Sequence, residues 1–382
     1  MAGLSPSRNL IVTPQTVMKR RLRLSLGAWQ RLAPKVDRER SKLKLRSGLA
    51  YWLSGVVYSL LFRLQNASHA DVLKAAVPPP PVFVLGFWRS GTTLLHELLC
   101  QDPQFGFPST YACMNPSHFV LTEAWVSGHK AREQTTRPMD NMSYSWVSPQ
   151  EDEFALLALG APSPYESLIV PSLMRDPKIL VDLRQRSSAE QKVWGEALRC
   201  FLLLLTIQQR KTMVFKSPPH GFKLPLLLSM FPRARYIVIE RNPYEVFVSN
   251  LKLWRTLINQ YAVESSSSDE IEQFVLAAYL MHEDAIAEGK SRMDANRLAC
   301  VRYEALTADP IGEMERLYRE LEISNFEQAR ASLEKYVAGA AGYARNHFAI
   351  SPAQKLRVED SWGSVIRAKG YAWPDQYLSL AS

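Results

Sequence analysis

Residues 82–99, VFVLGFWRSGTTLLHELL, read as a strand, a glycine-bracketed loop and a helix in immediate succession. Val82–Leu85 is an unbroken apolar run, as a strand covered on both faces requires. Leu94, Leu95, Leu98 and Leu99 then fall at helical spacing. A doubly covered strand that feeds a helix directly belongs to an α/β sheet with parallel strands. The loop between them, Gly86 to Gly91, turns backbone N–H groups and a positive helix end towards one point, where a phosphate or sulfate would sit. Arg89 adds a cation there, and Ser90, Thr92 and Thr93 add hydroxyls. Gly86-x4-Gly91 has the spacing of a nucleotidase phosphate loop, but Thr92 stands where a nucleotidase places lysine. The later strand over Tyr236–Ile239 runs into Glu240-Arg241 and offers no magnesium-holding aspartate.

The same alternation continues downstream. Short apolar runs at 213–215, 235–239 and 298–301 read as strands, separated by helical patterns at roughly 190–209, 222–230, 244–258, 271–288 and 311–321. Pro78–Pro81 forms an extended spacer and divides the chain into residues 1–77 and 78–382. Residues 104–175, rich in proline and aromatics, read as an insertion over the sheet edge, with Tyr144, Trp146, Phe154 and Tyr165 as candidate pocket lining.

Charge is distributed unevenly. The formal net charge is +9, yet residues 1–46 hold 12 Lys/Arg against only Asp37 and Glu39, so the rest of the chain is close to neutral. A basic groove across the fold is therefore not implied, and nucleic acid is not the expected partner. The basic segment precedes Leu49–Phe62, LAYWLSGVVYSLLF, an apolar stretch too short to span a bilayer comfortably. It suits either a helix packed on the core or, through residues 1–64, a helix on an anionic membrane surface. Cys100, Cys113, Cys200 and Cys300 lack CxxC spacing, which favours a reducing, cytoplasmic compartment. Asn66-Ala-Ser68 and Asn141-Met-Ser143 match the glycosylation tripeptide and leave a secretory-pathway home open.

GFWRSGTTLLHELL resembles the 5′-phosphosulfate loop of sulfotransferases that use 3′-phosphoadenylyl sulfate (PAPS), in which the cation also precedes the SGTT. A second element of that family is an arginine after a central strand with a serine eight residues on, matched by Arg241 and Ser249. A third, VFKSPPH at 214–220, is similar to the K-S-P-x-H stretch of the broad bacterial branch that acts on carbohydrates and lipids. Arg302-Tyr-Glu-x-Leu306 with Asp309-Pro310 fits as well, and Tyr343-x-x-Asn346-His347 and Trp362-Gly363 fit more loosely. The resemblance covers most of residues 81–310 and implies a P-loop-like three-layer α/β fold with a central parallel sheet; the first 77 residues, with the N-terminal helical segment read from Leu49–Phe62, lie outside it.

The resemblance implies in-line sulfuryl transfer from PAPS to a hydroxyl acceptor, without a metal. Ser90, Gly91, Thr92 and Thr93 would hold the 5′ end of the donor, and Arg241 and Ser249 its 3′-phosphate. Arg89 and Lys216 would neutralise the charge on the leaving oxygen. The general base is open: Thr110-Tyr111-Ala112 brings no carboxylate, Pro218 occupies the position of the base histidine of cytosolic relatives, and His220 and Glu151 rank first, ahead of His96 and His118. A P-loop kinase or NTPase, and a membrane-docked nucleotide-binding scaffold, are the competing readings.

Overall fold

The structure is a computed structural model that describes residues 22–41, 45–130, 135–136, 143–339 and 350–374. Residues 1–21 of the basic segment, Asn141, and the Tyr343, Asn346 and His347 motif lie outside the described residues.

Five strands form the central sheet: β1 (Val82–Leu85), β2 (Phe105–Gly106), β5 (Thr212–Lys216), β6 (Arg235–Glu240) and β7 (Leu298–Arg302). Their spatial order is β2-β5-β1-β6-β7, and every pairing is parallel. A separate two-residue ribbon pairs β3 (Thr135–Thr136) with β4 (Ser143–Tyr144). The side chains of β1 divide between two cores, which is why its sequence is apolar without alternation. Phe83 and Leu85 join Phe215, Tyr236 and the Trp194, Leu198 and Phe201 face of the Ser188–Gln209 helix. Val82 and Val84 join Val214, Ile237 and Ile239 beneath the Thr92–Leu99 and Pro310–Glu320 helices. Helices thus cover both faces of a parallel sheet, giving the expected three layers.

The chain leaves β1 towards β2, beyond β5, and leaves β5 towards β6, on the far side of β1. The connections diverge between β1 and β5, so a crevice opens at their carboxyl ends, where sheets of this kind take ligands. The glycine loop and Lys216 both emerge there.

One expectation is corrected. Residues 104–175 are not wholly an insertion, because β2 lies within them as the edge strand paired to β5. Two residues are too few for a periodic signal, so the sequence pattern passes over it. Residues 22–41, part of the basic segment, pack on the fold. Leu22, Leu24, Trp29 and Leu32 are buried in a third core with Tyr51, Trp254 and Phe274. Three of the basic residues there serve internal ion pairs: Arg31 and Lys35 with the buried Glu166, and Arg40 with Glu270. The Arg40 guanidinium holds the Glu270 carboxyl well below its usual range, at about 2.

Candidate active site

The loop after β1 closes tightly. Gly91 caps the Thr92–Leu99 helix with φ +102°, and a Cβ there would stand 2.3 Å from Tyr303 Cδ2. Glycine is required on both counts. Arg89, at the loop apex, also has positive φ (70°), a strained conformation for a side-chain-bearing residue. Ser90 is buried, and its Oγ meets no hydrogen-bond partner among the described residues. An unpartnered buried hydroxyl in a cradle of backbone N–H groups fits an anionic ligand such as the donor's phosphosulfate.

β6 delivers Arg241, and Pro243 opens the following helix, with Asn242 as its cap accepting from Tyr244 N–H at 3.1 Å. Two turns on, Ser249 lies buried opposite the loop. Arg89 Nε donates to Ser249 Oγ at 2.8 Å, and Arg241 Nη1 donates to the Arg89 carbonyl at 3.3 Å. Arg241 is fixed further by Glu245, with Nη2 to Oε2 at 2.6 Å, and by the Tyr303 ring 4.4 Å beneath its guanidinium. Arg89, Arg241 and Ser249, 160 residues apart at the extremes, therefore meet as one cluster. The Arg89 side chain reaches this end of the site through Ser249. Tyr303, which backs both Gly91 and Arg241, went unassigned in the sequence. Its place in the Arg302-Tyr-Glu run was the available signal.

Lys216 closes the other end. It is 1% exposed, and its Nζ donates to Glu151 Oε1 at 2.8 Å and to Thr93 Oγ1 at 3.4 Å. Glu151 keeps some solvent contact and accepts the Tyr165 hydroxyl on its second oxygen; Trp88 Nε1 in turn donates to Tyr165 at 3.0 Å. Burial, and next the Glu151 charge, push the Tyr165 phenol well above its ordinary value, so it stays a neutral donor.

The neighbouring carboxylates behave differently. Asp152 is fully buried, bonded to His220 Nε2 at 2.7 Å and Ser217 Oγ at 2.8 Å. Burial by itself would raise its pKa; the His220 imidazole and the Ser217 hydroxyl outweigh that and hold it below the usual range. Glu153 takes Lys223 Nζ at 2.6 Å, over the Trp194 ring. Desolvation lowers the Lys223 pKa, and Glu153 opposes the shift. His220 is 0% exposed and turns its Nε2 to Asp152. His96 is buried beside the Val214 carbonyl, and His118 bonds Thr122. Of the expected lining residues, Tyr165 stacks on Phe154 with ring centroids 4.8 Å apart, and Trp146 meets Tyr111 edge-on.

A sulfotransferase family model matches residues 80–328. The chain is 35% identical over 300 residues to the omega-hydroxy-beta-dihydromenaquinone-9 sulfotransferase Stf3 of Mycobacterium bovis, across 78% of this chain and 77% of that one. The protein of the same name from Mycobacterium tuberculosis matches equally. Among solved structures, the sulfotransferase STF9 of Mycobacterium avium superposes with a TM-score of 0.65 at 18% identity, covering 91% of this chain and 96% of that one. STF1 of Mycobacterium tuberculosis gives 0.61 at 21%, covering 81% and 87%. These likenesses support the fold. With lysine absent after Gly91, the kinase or NTPase reading is not favoured. The chain belongs to the sulfotransferase family, enzymes that transfer a sulfuryl group from PAPS.

Proposed function

We propose that the crevice between β1 and β5 transfers the sulfuryl group to a hydroxyl of a lipid, with Glu151 as the general base. PAPS, when bound, supplies an activated sulfuryl group on a good leaving phosphate. The chain's own residues do the rest by position and charge. Ser90 Oγ and the loop N–H groups to Thr93 bind the 5′ end. Arg241, Ser249 and, through its contact with Ser249, Arg89 bind the 3′-phosphate. Lys216 Nζ, beside Thr93, offsets the charge that develops on the leaving oxygen.

Glu151 takes the proton of the acceptor hydroxyl as its oxygen bonds to sulfur and the sulfur–oxygen bond to the nucleotide breaks. Its pairing with Lys216 at 2.8 Å is the observation that carries this assignment, since it holds a carboxylate against the leaving-group cation. Tyr165 fixes its second oxygen. His220 and Asp152 are positioning residues: their pair clamps the Ser217 turn just after Lys216 to the segment that carries Glu151.

A lipid acceptor is favoured by the relative whose name gives a hydroxylated menaquinone as substrate. Such an acceptor lies in a membrane, and the Lys/Arg of residues 1–46 other than the internally paired Arg31, Lys35 and Arg40 suit an anionic, cytoplasmic-side surface. The test is product mass analysis after incubation with PAPS and a hydroxylated isoprenoid quinone. Sulfated product is expected from the wild type, with at least a hundredfold less from Lys216→Ala. Undiminished product from that variant overturns the assignment.

A further inference from the structure

The Leu45–Ser68 helix is apolar on two sides, and the described residues pack on only one of them. On the inner side Tyr51 stacks on Trp29 with ring centroids 4.4 Å apart, and Ser59 Oγ accepts the Leu26 N–H at 3.0 Å. Gly55 meets the Leu26 backbone so closely that a Cβ would lie 2.9 Å from its Cα. The outer side presents Leu49, Trp52, Leu53, Val57, Leu60 and Leu64, each between 46% and 57% exposed. At 3.6 residues per turn these six lie within an arc of about 140° and form a ridge about 22 Å long. Single exposed apolar side chains need no explanation; six in one row do.

We infer that this ridge docks the enzyme on an anionic bilayer, lying in the plane of the interface. Charge selects that occupant over a second copy of the chain. The helix carries no Asp or Glu, and its two charged residues, Arg46 and Arg63, are exposed. At the same helical spacing both fall on the ridge side, one near each end, where they would meet lipid phosphates while the leucines and Trp52 enter the acyl boundary. Two copies joined along this face would bring these like charges together. No described helix is long and apolar enough to cross a membrane, and the inner side is committed to protein, so the helix lies on the surface.

The ridge is also linked to the site. The Leu26–Leu32 helix lies beneath it, and Ser25 N–H there donates to the Ala158 carbonyl at 2.8 Å, at the end of the Glu153–Leu159 helix that follows Glu151. This deepens the membrane-surface part of the proposed function, and rests on it for the reason an acceptor would be met there.

The full chain is tested by co-sedimentation with liposomes of phosphatidylglycerol and of phosphatidylcholine, alongside the Leu53→Ser/Val57→Ser/Leu60→Ser variant. Calorimetric binding of 3′-phosphoadenosine 5′-phosphate (PAP) monitors the donor site separately. At least tenfold weaker binding of the variant to phosphatidylglycerol vesicles, with PAP binding and melting temperature retained, is the expected result. Equal vesicle binding by variant and wild type overturns the proposal, as does wild-type binding that ignores lipid charge. A wild-type dimer that the variant dissociates also overturns it, and names a second copy as the occupant. Failure of the sulfuryl-transfer reading would appear instead as absent PAP binding.

Discussion

Replacing Glu151 by glutamine separates chemistry from binding. The amide keeps the size of the carboxyl and an oxygen for the Tyr165 hydroxyl, but it cannot take a proton. General-base assistance is worth about 10² to 10⁴ in rate. At ~1.36 kcal/mol per decade this corresponds to roughly 3–5 kcal/mol of barrier. The effect on the donor should run the other way. Lys216 is 1% exposed and donates to Glu151 at 2.8 Å, so the carboxylate competes with an incoming anion for that ammonium. Removing the charge leaves Lys216 free to serve the donor, and PAP affinity is expected to hold or tighten. Turnover by product mass and PAP binding by calorimetry provide the two readings. A kcat within about threefold of wild type would refute the assignment of the base. A tenfold loss of PAP affinity alongside the rate loss would show instead that Glu151 holds the pocket together.

Asp152→Ala strands the Ser217 hydroxyl and His220 Nε2 in a fully buried place, an expected cost of about 2–5 kcal/mol in urea unfolding at pH 7. The Asp152 carboxyl titrates lower in the native state than in the unfolded chain. Its contribution is therefore complete above the unfolded value near ~4 and lost as pH falls through the native one, so wild type and variant should converge in acid. A difference that grows below pH ~4 contradicts this sign. Gly91→Ala should weaken PAP binding at least tenfold, because the methyl group must displace Tyr303, the ring beneath Arg241; unchanged affinity would mean that the loop relaxes freely.

The donor half of the site was legible in the sequence because each piece is local. The first strand, its glycine loop and its helix are contiguous, and so are β6, Arg241, Pro243 and Ser249, where an N1 proline marks the turn. The acceptor half was only partly legible. Lys216 and Glu151 stand 65 residues apart, and nothing at either position signals the other. The Glu151-Asp152-Glu153 run reads as a helix start, and Glu153 does open one. The fold then sends the three carboxylates to three different partners: Lys216, His220 and Lys223. The partners of three basic residues were hidden for the same long-range reason. Arg31, Lys35 and Arg40 read as a basic arm until Glu166 and Glu270, over a hundred residues on, appear as their partners.

A crystal structure with PAP bound tests the central claim most directly. The account predicts one molecule spanning the crevice, its 5′-phosphate on Ser90 Oγ and the N–H groups of Gly91–Thr93 and its 3′-phosphate against Arg241 and Ser249. Nucleotide bound elsewhere, or reversed end for end, would contradict it.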